Sequence, residues 1–396
     1  MAKLGFFVGL ILCLLVRNVP CAEVRWRHLS SASGNLALPS EAKLQAGSLV
    51  GDFDGDGTND FILAFADTAP SLVLYRGATN WSHLAIELEF LPLSPGGAAL
   101  DIDQDGDLDA VFGSEKSEIW WWENPNPNFD RNKAWTRHLI QSGGIHHRGQ
   151  LFADLNGSGR PQLVFWNQGP DSLFWTPIPP EPRTRSAWEP KKIFSGSEND
   201  LPGKAEALSA ADINMDGTAD LLAGNVWFKR QALDQFVPTR IGTMNGISAM
   251  GRFREGTFPQ VVIAPRGAGT LLWYECKSHP DQPGSWAGRE LLKVGPIGTL
   301  ATGDIDQDGN DDILVAEEAK SRNEPAPRAW IIYSDGRGNF RSVRFPAEAE
   351  MFAAKLADLD HDGDLDILST PHTVGASRLD LWLNETKKSG PVTFPK

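Results

Sequence analysis

The sequence has 396 residues, 41% of them hydrophobic and 22% charged, and its formal net charge is −14. That composition supplies a large apolar core and excludes a disordered chain. The acidic balance, 51 Asp and Glu against 37 Lys and Arg, disfavours nucleic-acid phosphate as a partner and points to cations.

The chain opens with Lys3, an apolar run from Leu4 to Val16, and small residues near Cys21 and Ala22. The run is short for a bilayer span and has the form of an export signal. Residues 1–22 are therefore expected to be a signal peptide. Residues 23–396 are expected to form a secreted protein, extracellular or periplasmic, with no transmembrane segment. A lipid anchor on Cys21 is the alternative, although Asn18 and Pro20 do not suit a usual lipid-attachment motif. Cys13 and Cys21 lie in the signal, so Cys276 remains alone and no internal disulfide forms. Secreted folds often rely on disulfide staples. Here calcium is the expected substitute.

Seven segments then share one pattern. A small-residue, alternating lead enters an acidic loop, and the loop enters a short apolar strand. The first reads GSLVGDFDGDGTNDFILAF and the last FAAKLADLDHDGDLDILST. The loops begin near residues 52, 101, 154, 212, 252, 304 and 358. A period of roughly 40 to 60 residues, each holding several short strands, means propeller blades. After each apolar strand comes an aromatic one: SLVLYRG, EIWWWENP, SLFWTP, VWFKR, TLLWYE, AWIIYSDG and LDLWLNE. A looser fourth strand follows, as in AWTRHLIQ, WAGRELLKV and NFRSVRF. The expected fold is all-β, a seven-bladed β-propeller with calcium-binding loops in five blades. The tryptophans are expected to pack between blades. Two segments could supply the closing strand, VRWRHLSS near the N-terminus or GPVTFPK at the C-terminus.

Five loops follow D-x-[DN]-x-D-G-x-x-D. They are Asp52, Asp54, Asp56 and Asp60; Asp101, Asp103, Asp105 and Asp109; Asp212, Asn214, Asp216 and Asp220; Asp304, Asp306, Asp308 and Asp312; and Asp358, Asp360, Asp362 and Asp366. Positions 1, 3 and 5 bring oxygens to one centre. Position 6 is Gly57, Gly106, Gly217, Gly309 or Gly363, where the turn needs a positive φ. Position 7 can offer a carbonyl and position 9 returns a carboxylate. Oxygen-only donors suit about five structural calcium ions. These are not EF-hands, since position 12 is Leu63, Phe112, Ala223, Val315 or Ser369 and not Glu. The third loop keeps one carboxylate, Asp154, beside Asn156, Ser158 and Gln162. The fifth carries Arg252, Arg254 and Gln260, and a guanidinium could stand in for its ion.

These loops and their flanking strands resemble the FG-GAP/VCBS repeats of integrin α-chain heads and secreted bacterial proteins. The WWENP and WTRHLI runs also resemble the VCBS-type propellers that include fungal aldos-2-ulose dehydratases. The resemblance implies structural calcium on one face, between the first and second strands of each blade.

Ligands are then expected on the opposite face, over the channel. Gly144-Ile145-His146-His147-Arg148 provides a candidate metal ligand or general base there. His372 and Arg266 could converge with it, and Glu317 and Glu318 could add a carboxylate. His28, His83 and His138 follow Trp in outer strands and read as structural. No hydrolase, metalloprotease or phosphate-loop motif occurs. The leading expectation is a binding or adhesion module for a glycan or protein. The alternatives are a carbohydrate lyase or dehydratase and a purely architectural module. Sequons stand at Asn80, Asn156 and Asn384.

Overall fold

The computed structural model describes residues 24–38, 44–167, 172–195, 208–232, 235–244, 246–256, 258–319, 327–348, 350–370 and 378–386. The expected signal, His372 and GPVTFPK lie outside these residues.

Period-2 apolar runs broken by Gly, Asp and Asn give 28 short strands among the described residues. The first, β1 (Trp26–Ser30), stands apart from its sequence neighbours. Blade 1 is β2 (Gln45–Gly51), β3 (Asp60–Phe65), β4 (Leu72–Arg76) and β5 (Ser82–Glu87). Blade 2 is β6 (Ala98–Leu100), β7 (Asp109–Gly113), β8 (Glu118–Glu123) and β9 (Thr136–Ser142). Blade 3 is β10 (His147–Ala153), β11 (Gln162–Asn167), β12 (Ser172–Pro177) and β13 (Lys191–Ser195). Blade 4 is β14 (Leu208–Ala211), β15 (Asp220–Ala223), β16 (Val226–Ala232) and β17 (Gln235–Arg240). Blade 5 is β18 (Gly246–Gly251), β19 (Gln260–Pro265), β20 (Gly269–Cys276) and β21 (Trp286–Val294). Blade 6 is β22 (Ile297–Gly303), β23 (Asp312–Glu317), β24 (Ala329–Ser334) and β25 (Phe340–Phe345). Blade 7 takes β26 (Phe352–Ala357), β27 (Asp366–Thr370) and β28 (Asp380–Asn384), and its fourth strand is β1. Trp26 faces Asn384 and Ser30 faces Asp380 in antiparallel register. The N-terminal strand thus closes the ring, the choice the sequence left open.

Why the second strands are apolar throughout follows from the ring. In β3 every residue is buried. Phe61, Leu63 and Phe65 pack with Leu368, Leu381 and Leu383 of blade 7, whereas Ile62 and Ala64 pack with Phe112 and Trp122 of blade 2. Alternation along one strand serves two interfaces. The same holds all round, so that seven apolar clusters each join two adjacent blades. Trp121, Trp122, Trp166 and Trp227 are among the largest fully buried side chains, and they belong to these interfaces, as expected.

The second residue of every loop is also a core residue. Phe53, Ile102, Leu155, Ile213, Phe253, Ile305 and Leu359 are at most 1% exposed. Each plugs the cluster between its own blade and the next. A loop on the surface is thereby tied to the packing beneath it.

Outer-strand histidines cap the aromatic strands. His28 stacks on Trp382 at 3.7 Å and meets Asp380 at 2.9 Å. His138 stacks on Trp121 at 4.4 Å and meets Glu123 at 2.7 Å. The sequon residue Asn384 is fully buried and donates to the Ile305 carbonyl of blade 6 at 2.9 Å, so in the folded ring it serves as a clasp between blades. Among the described residues, no helix is long and apolar enough to cross a membrane.

Candidate metal loops and central channel

Six of the seven loops close on a first aspartate. Asp52 Oδ1 accepts the Asp56 N–H at 3.1 Å and Oδ2 the Gly57 N–H at 3.0 Å. Asp101, Asp212, Asp304 and Asp358 accept the same pair. So does Asp154 in the degenerate third loop. The sixth-position glycines adopt the left-handed region, with φ from 86° at Gly217 to 103° at Gly106. Position 4 does so as well, although it is Gln104, Met215, Gln307 or His361, a requirement the repeat pattern had hidden.

The ninth-position aspartate has a task beyond that expected of it. Asp60 Oδ2 accepts the N–H groups of Phe53 and Asp54, and Oδ1 accepts that of Gly77 beyond β4. Asp109, Asp220, Asp312 and Asp366 likewise join the loop plug to the third strand. In blades 3 and 5 the Oε1 atoms of Gln162 and Gln260 take the loop N–H of Leu155 and of Phe253. The residue is a staple first, and amide oxygen suffices where the charge is absent.

Carboxylates nevertheless converge. Four trios, Asp52-Asp54-Asp60, Asp101-Asp103-Asp109, Asp304-Asp306-Asp308 and Asp358-Asp360-Asp366, each place three oxygens within 4.8 Å of one another and could hold a metal ion. In blade 4 the neutral Asn214 donates to Asp216 at 2.9 Å instead. The donor set is all oxygen and fits a hard divalent cation. A second observation agrees: Asp103 Oδ1, Asp107 Oδ1 and Asp364 Oδ1 are buried with no hydrogen-bond partner, a costly state for carboxylate oxygen. Asp107 and Asp364 are seventh-position acids, where the loop spacing calls only for a backbone carbonyl. Arginines from outside lean on three of the loops. Arg76 meets Asp54 at 2.6 Å, and Arg27 comes within 3.8 Å of Asp360. Arg183, from the β12–β13 connection, reaches Asp103 at 2.8 Å and Asp105 at 2.7 Å. Its contact with Asp103 lacks hydrogen-bond geometry, so that carboxylate stays unsatisfied.

Burial first, and neighbouring carboxylates in addition, push these aspartates up: Asp60 and Asp220 to about 6, Asp366 and Asp107 to about 7, Asp109, Asp312 and Asp364 to about 8. These values exceed those of unfolded aspartate, so the metal-free native state holds protons that the unfolded chain releases. Its stability is full below the unfolded value and declines as pH rises through 6 to 8. In chelator, the melting temperature is expected to fall between about pH 5 and about pH 8, and saturating divalent metal is expected to reverse that order. A chelated protein that gains stability over this range would contradict the assignment.

The degenerate loops differ. Arg254 pairs with Glu275 of β20 at 2.7 Å, and the Arg252 N–H is taken by Asp311 of blade 6 at 2.6 Å. The Arg254 guanidinium links its loop to β20.

On the opposite face the adjacent histidines part ways. His147 begins β10 and is fully buried, its Nε2 against the carbonyls of Gly143 at 2.9 Å and Ser117 at 3.2 Å. Its Nδ1 is buried without a partner, and burial lowers its pKa. His146, one residue earlier, is partly exposed and contacts Glu115 through Nδ1. Glu115 also receives Arg148 at 3.0 Å and Ser94 at 2.8 Å. Burial alone would raise Glu115, but Arg148, Ser94 and His146 together hold it below its ordinary value. Arg266 is exposed after β19 of blade 5. Glu317 is committed to Arg328 through both oxygens, at 2.8 and 2.5 Å, and to the Gly295 N–H, and the Glu318 N–H to the Pro296 carbonyl.

The inner strands β2, β6, β10, β14, β18, β22 and β26 each touch their two neighbours around the ring and wall a central cavity of about 580 Å³. On the side of blades 1 to 3 the wall is nearly bare backbone. A Cβ on Gly47 would lie 2.3 Å from the Gly96 carbonyl, and one on Gly96 would lie 2.7 Å from the Gly149 nitrogen. Lys355 of β26 lines the same cavity; no sequence motif had marked it.

Residues 304–369, from the sixth loop to β27, match the FG-GAP-like repeat family. No curated protein sequence matches the chain. Among solved structures, the chain is similar to BBS1N in complex with ARL6DN, with a TM-score of 0.54, 10% identity, and 92% of this chain and 97% of that one covered. It is also similar to the V. cholerae biofilm matrix protein Bap1, with a TM-score of 0.49, 10% identity and 91% of each chain covered. Identity this low speaks to fold alone.

Proposed function

We propose that this chain, a seven-bladed propeller carrying FG-GAP-like repeats, is an exported interaction module whose acidic loops bind calcium and whose opposite face takes a glycan or protein ligand. The observation that carries the metal assignment is the gathering of three carboxylate oxygens within 4.8 Å in four separate loops, with partnerless buried oxygens beside two of them. Calcium accepts six to eight oxygens in a flexible shell, which suits a tight loop rich in carboxylates and carbonyls. Asp52 and Asp54, Asp101 and Asp103, Asp304, Asp306 and Asp308, and Asp358 and Asp360 would hold it, with Asp212, Asn214 and Asp216 a fifth set. Elemental analysis of the purified protein is expected to find about five calcium ions per chain. Retention of none at millimolar calcium would overturn the assignment.

Support for an interaction role comes from the ring's shape and from BBS1N, a propeller of similar fold seen in complex with ARL6DN. Export rests on residues 1–22 and is tested by sequencing the mature N-terminus, expected near residue 23. The partly exposed His146–Glu115 pair favours a second reading, a carbohydrate lyase or dehydratase with His146 as base. Loss of sugar turnover in His146→Ala, with calcium content intact, would support it.

A further inference from the structure

The cavity at the ring's centre contains one ionisable group among its described lining residues, Lys355. The others are Gly, Ala, Ser, Thr, Gln, Pro and large apolar side chains. Lys355 has neither an ion pair nor a hydrogen bond among the described residues, yet its side chain is exposed, and the space it opens onto is the channel. At the same register of the other inner strands stand Leu49, Ala98, Leu151, Ser209, Ala249 and Ala301. Although its side chain opens onto the channel, the protein packed around the amine lowers its pKa below the ordinary value, as for a cation held without a counter-charge. Leaving a cation so placed is costly, and the apolar and small residues at the other six positions show that the fold does not need it.

We propose that the channel seats a small ligand bearing a single carboxylate, with that carboxylate on Lys355 Nζ. Charge matching sets the class. One ammonium neutralises one monoanion, whereas a phosphate near its dianionic form would leave uncompensated charge inside a protein of net charge −14. A cavity of about 580 Å³ is far larger than a bare ion needs and lies in the range of small-molecule sites. Its walls offer hydroxyls to the rest of the ligand. Ser48, Ser209 and Ser248 line it, and Ser248 Oγ is buried with no hydrogen-bond partner, whereas the Thr299 and Thr302 hydroxyls are already given to the Met351 and Met250 carbonyls. A hydroxylated carboxylate such as a uronic acid meets both features.

The inference rests on the ligand-binding reading above, and metal analysis can succeed while the channel test fails, so the two fall separately. The full calcium-loaded chain is titrated calorimetrically with sodium D-glucuronate, D-glucose and inorganic phosphate. Glucuronate is expected to bind at one site and D-glucose to give no heat. Lys355→Met is expected to weaken glucuronate by roughly tenfold or more, the scale of one charge-assisted contact. Lys355→Arg is expected to retain binding. Because Met keeps the apolar stem and removes the lone charge, Lys355→Met is also expected to melt about 1–3 °C higher than the parent without ligand. No binding of glucuronate, equal binding by Lys355→Met, or phosphate binding as tight as glucuronate would each overturn the proposal. Should Lys355→Met fail to fold, two measurements replace it. Lys355→Gln is expected to lose glucuronate binding, and glucuronate is expected to protect Lys355 of the parent from amine acylation; full binding by Lys355→Gln or absence of protection would overturn the proposal equally.

Discussion

Chelation is expected to lower the melting temperature by on the order of 10 °C, and calcium to restore it. Each ion bound by the native state alone contributes about 2.7 kcal/mol when present at roughly 100 times its dissociation constant, so the four loops that gather three carboxylate oxygens alone contribute about 10 kcal/mol. An unfolding entropy of ~2 cal/mol/K per residue converts that to a shift of roughly 10–15 °C for a chain of this length. The shift reports on the whole ring because each loop carries a core plug. Phe53, Ile102, Ile305 and Leu359 lie between two aspartates of their loops and inside the blade interfaces. Scanning calorimetry in chelator, in calcium and in magnesium is the check. Magnesium, which demands near-octahedral geometry, is expected to recover much less. Superimposable melts in chelator and calcium would remove the metal from the fold's stability altogether.

The second large effect separates the staple from the metal. Asp312→Ala removes the acceptor for the Ile305 and Ser334 N–H groups, both buried, and is expected to cost about 3–5 kcal/mol. Gln162→Ala removes the acceptor for the Leu155 N–H in a loop with one carboxylate, and is expected to cost about 1–3 kcal/mol. The difference lies in calcium. The loss from Gln162→Ala is expected to be the same in calcium and in chelator, whereas that from Asp312→Ala should shrink in chelator, because this staple sets the loop that carries Asp304, Asp306 and Asp308. Asp312→Asn, which keeps an oxygen acceptor, should fold well. Denaturant midpoints of the three variants in both buffers distinguish the two roles. A calcium-dependent loss in Gln162→Ala would mean that the third loop binds an ion.

What the sequence made legible follows from repetition. Acid–glycine spacing recurs, so seven loops could be aligned, and the apolar and aromatic runs behind them gave the blades. The plugs at Phe53 and Ile305 were equally visible as an apolar second position. Their role stayed hidden because a lone apolar residue between two ligand oxygens has no periodicity of its own. Ring closure was ambiguous because strand-forming segments lay at both ends. The opposite face was the least legible, since its connections share no pattern. His146 and His147 read as a pair, but successive residues entering a strand point to opposite sides, which buries one and exposes the other. Arg183 gave no local signal, because its aspartate partners lie in another blade. Lys355 stood out only against the six other inner strands at one register.

Blade 7 draws its outermost strand from residues 26–30 and the other three from residues 352–384. On the ribosome, the first of the ring's described strands therefore waits for the last of them. Six blades can condense from local hairpins as they appear, but the seventh interface, with Leu381 against Leu63, forms only after the last strand is made. Until then β1 and the flank of blade 1 present unpaired edge and bare apolar surface. The slow step in folding should be this long-range closure, and the interval before it is when the chain is most open to aggregation.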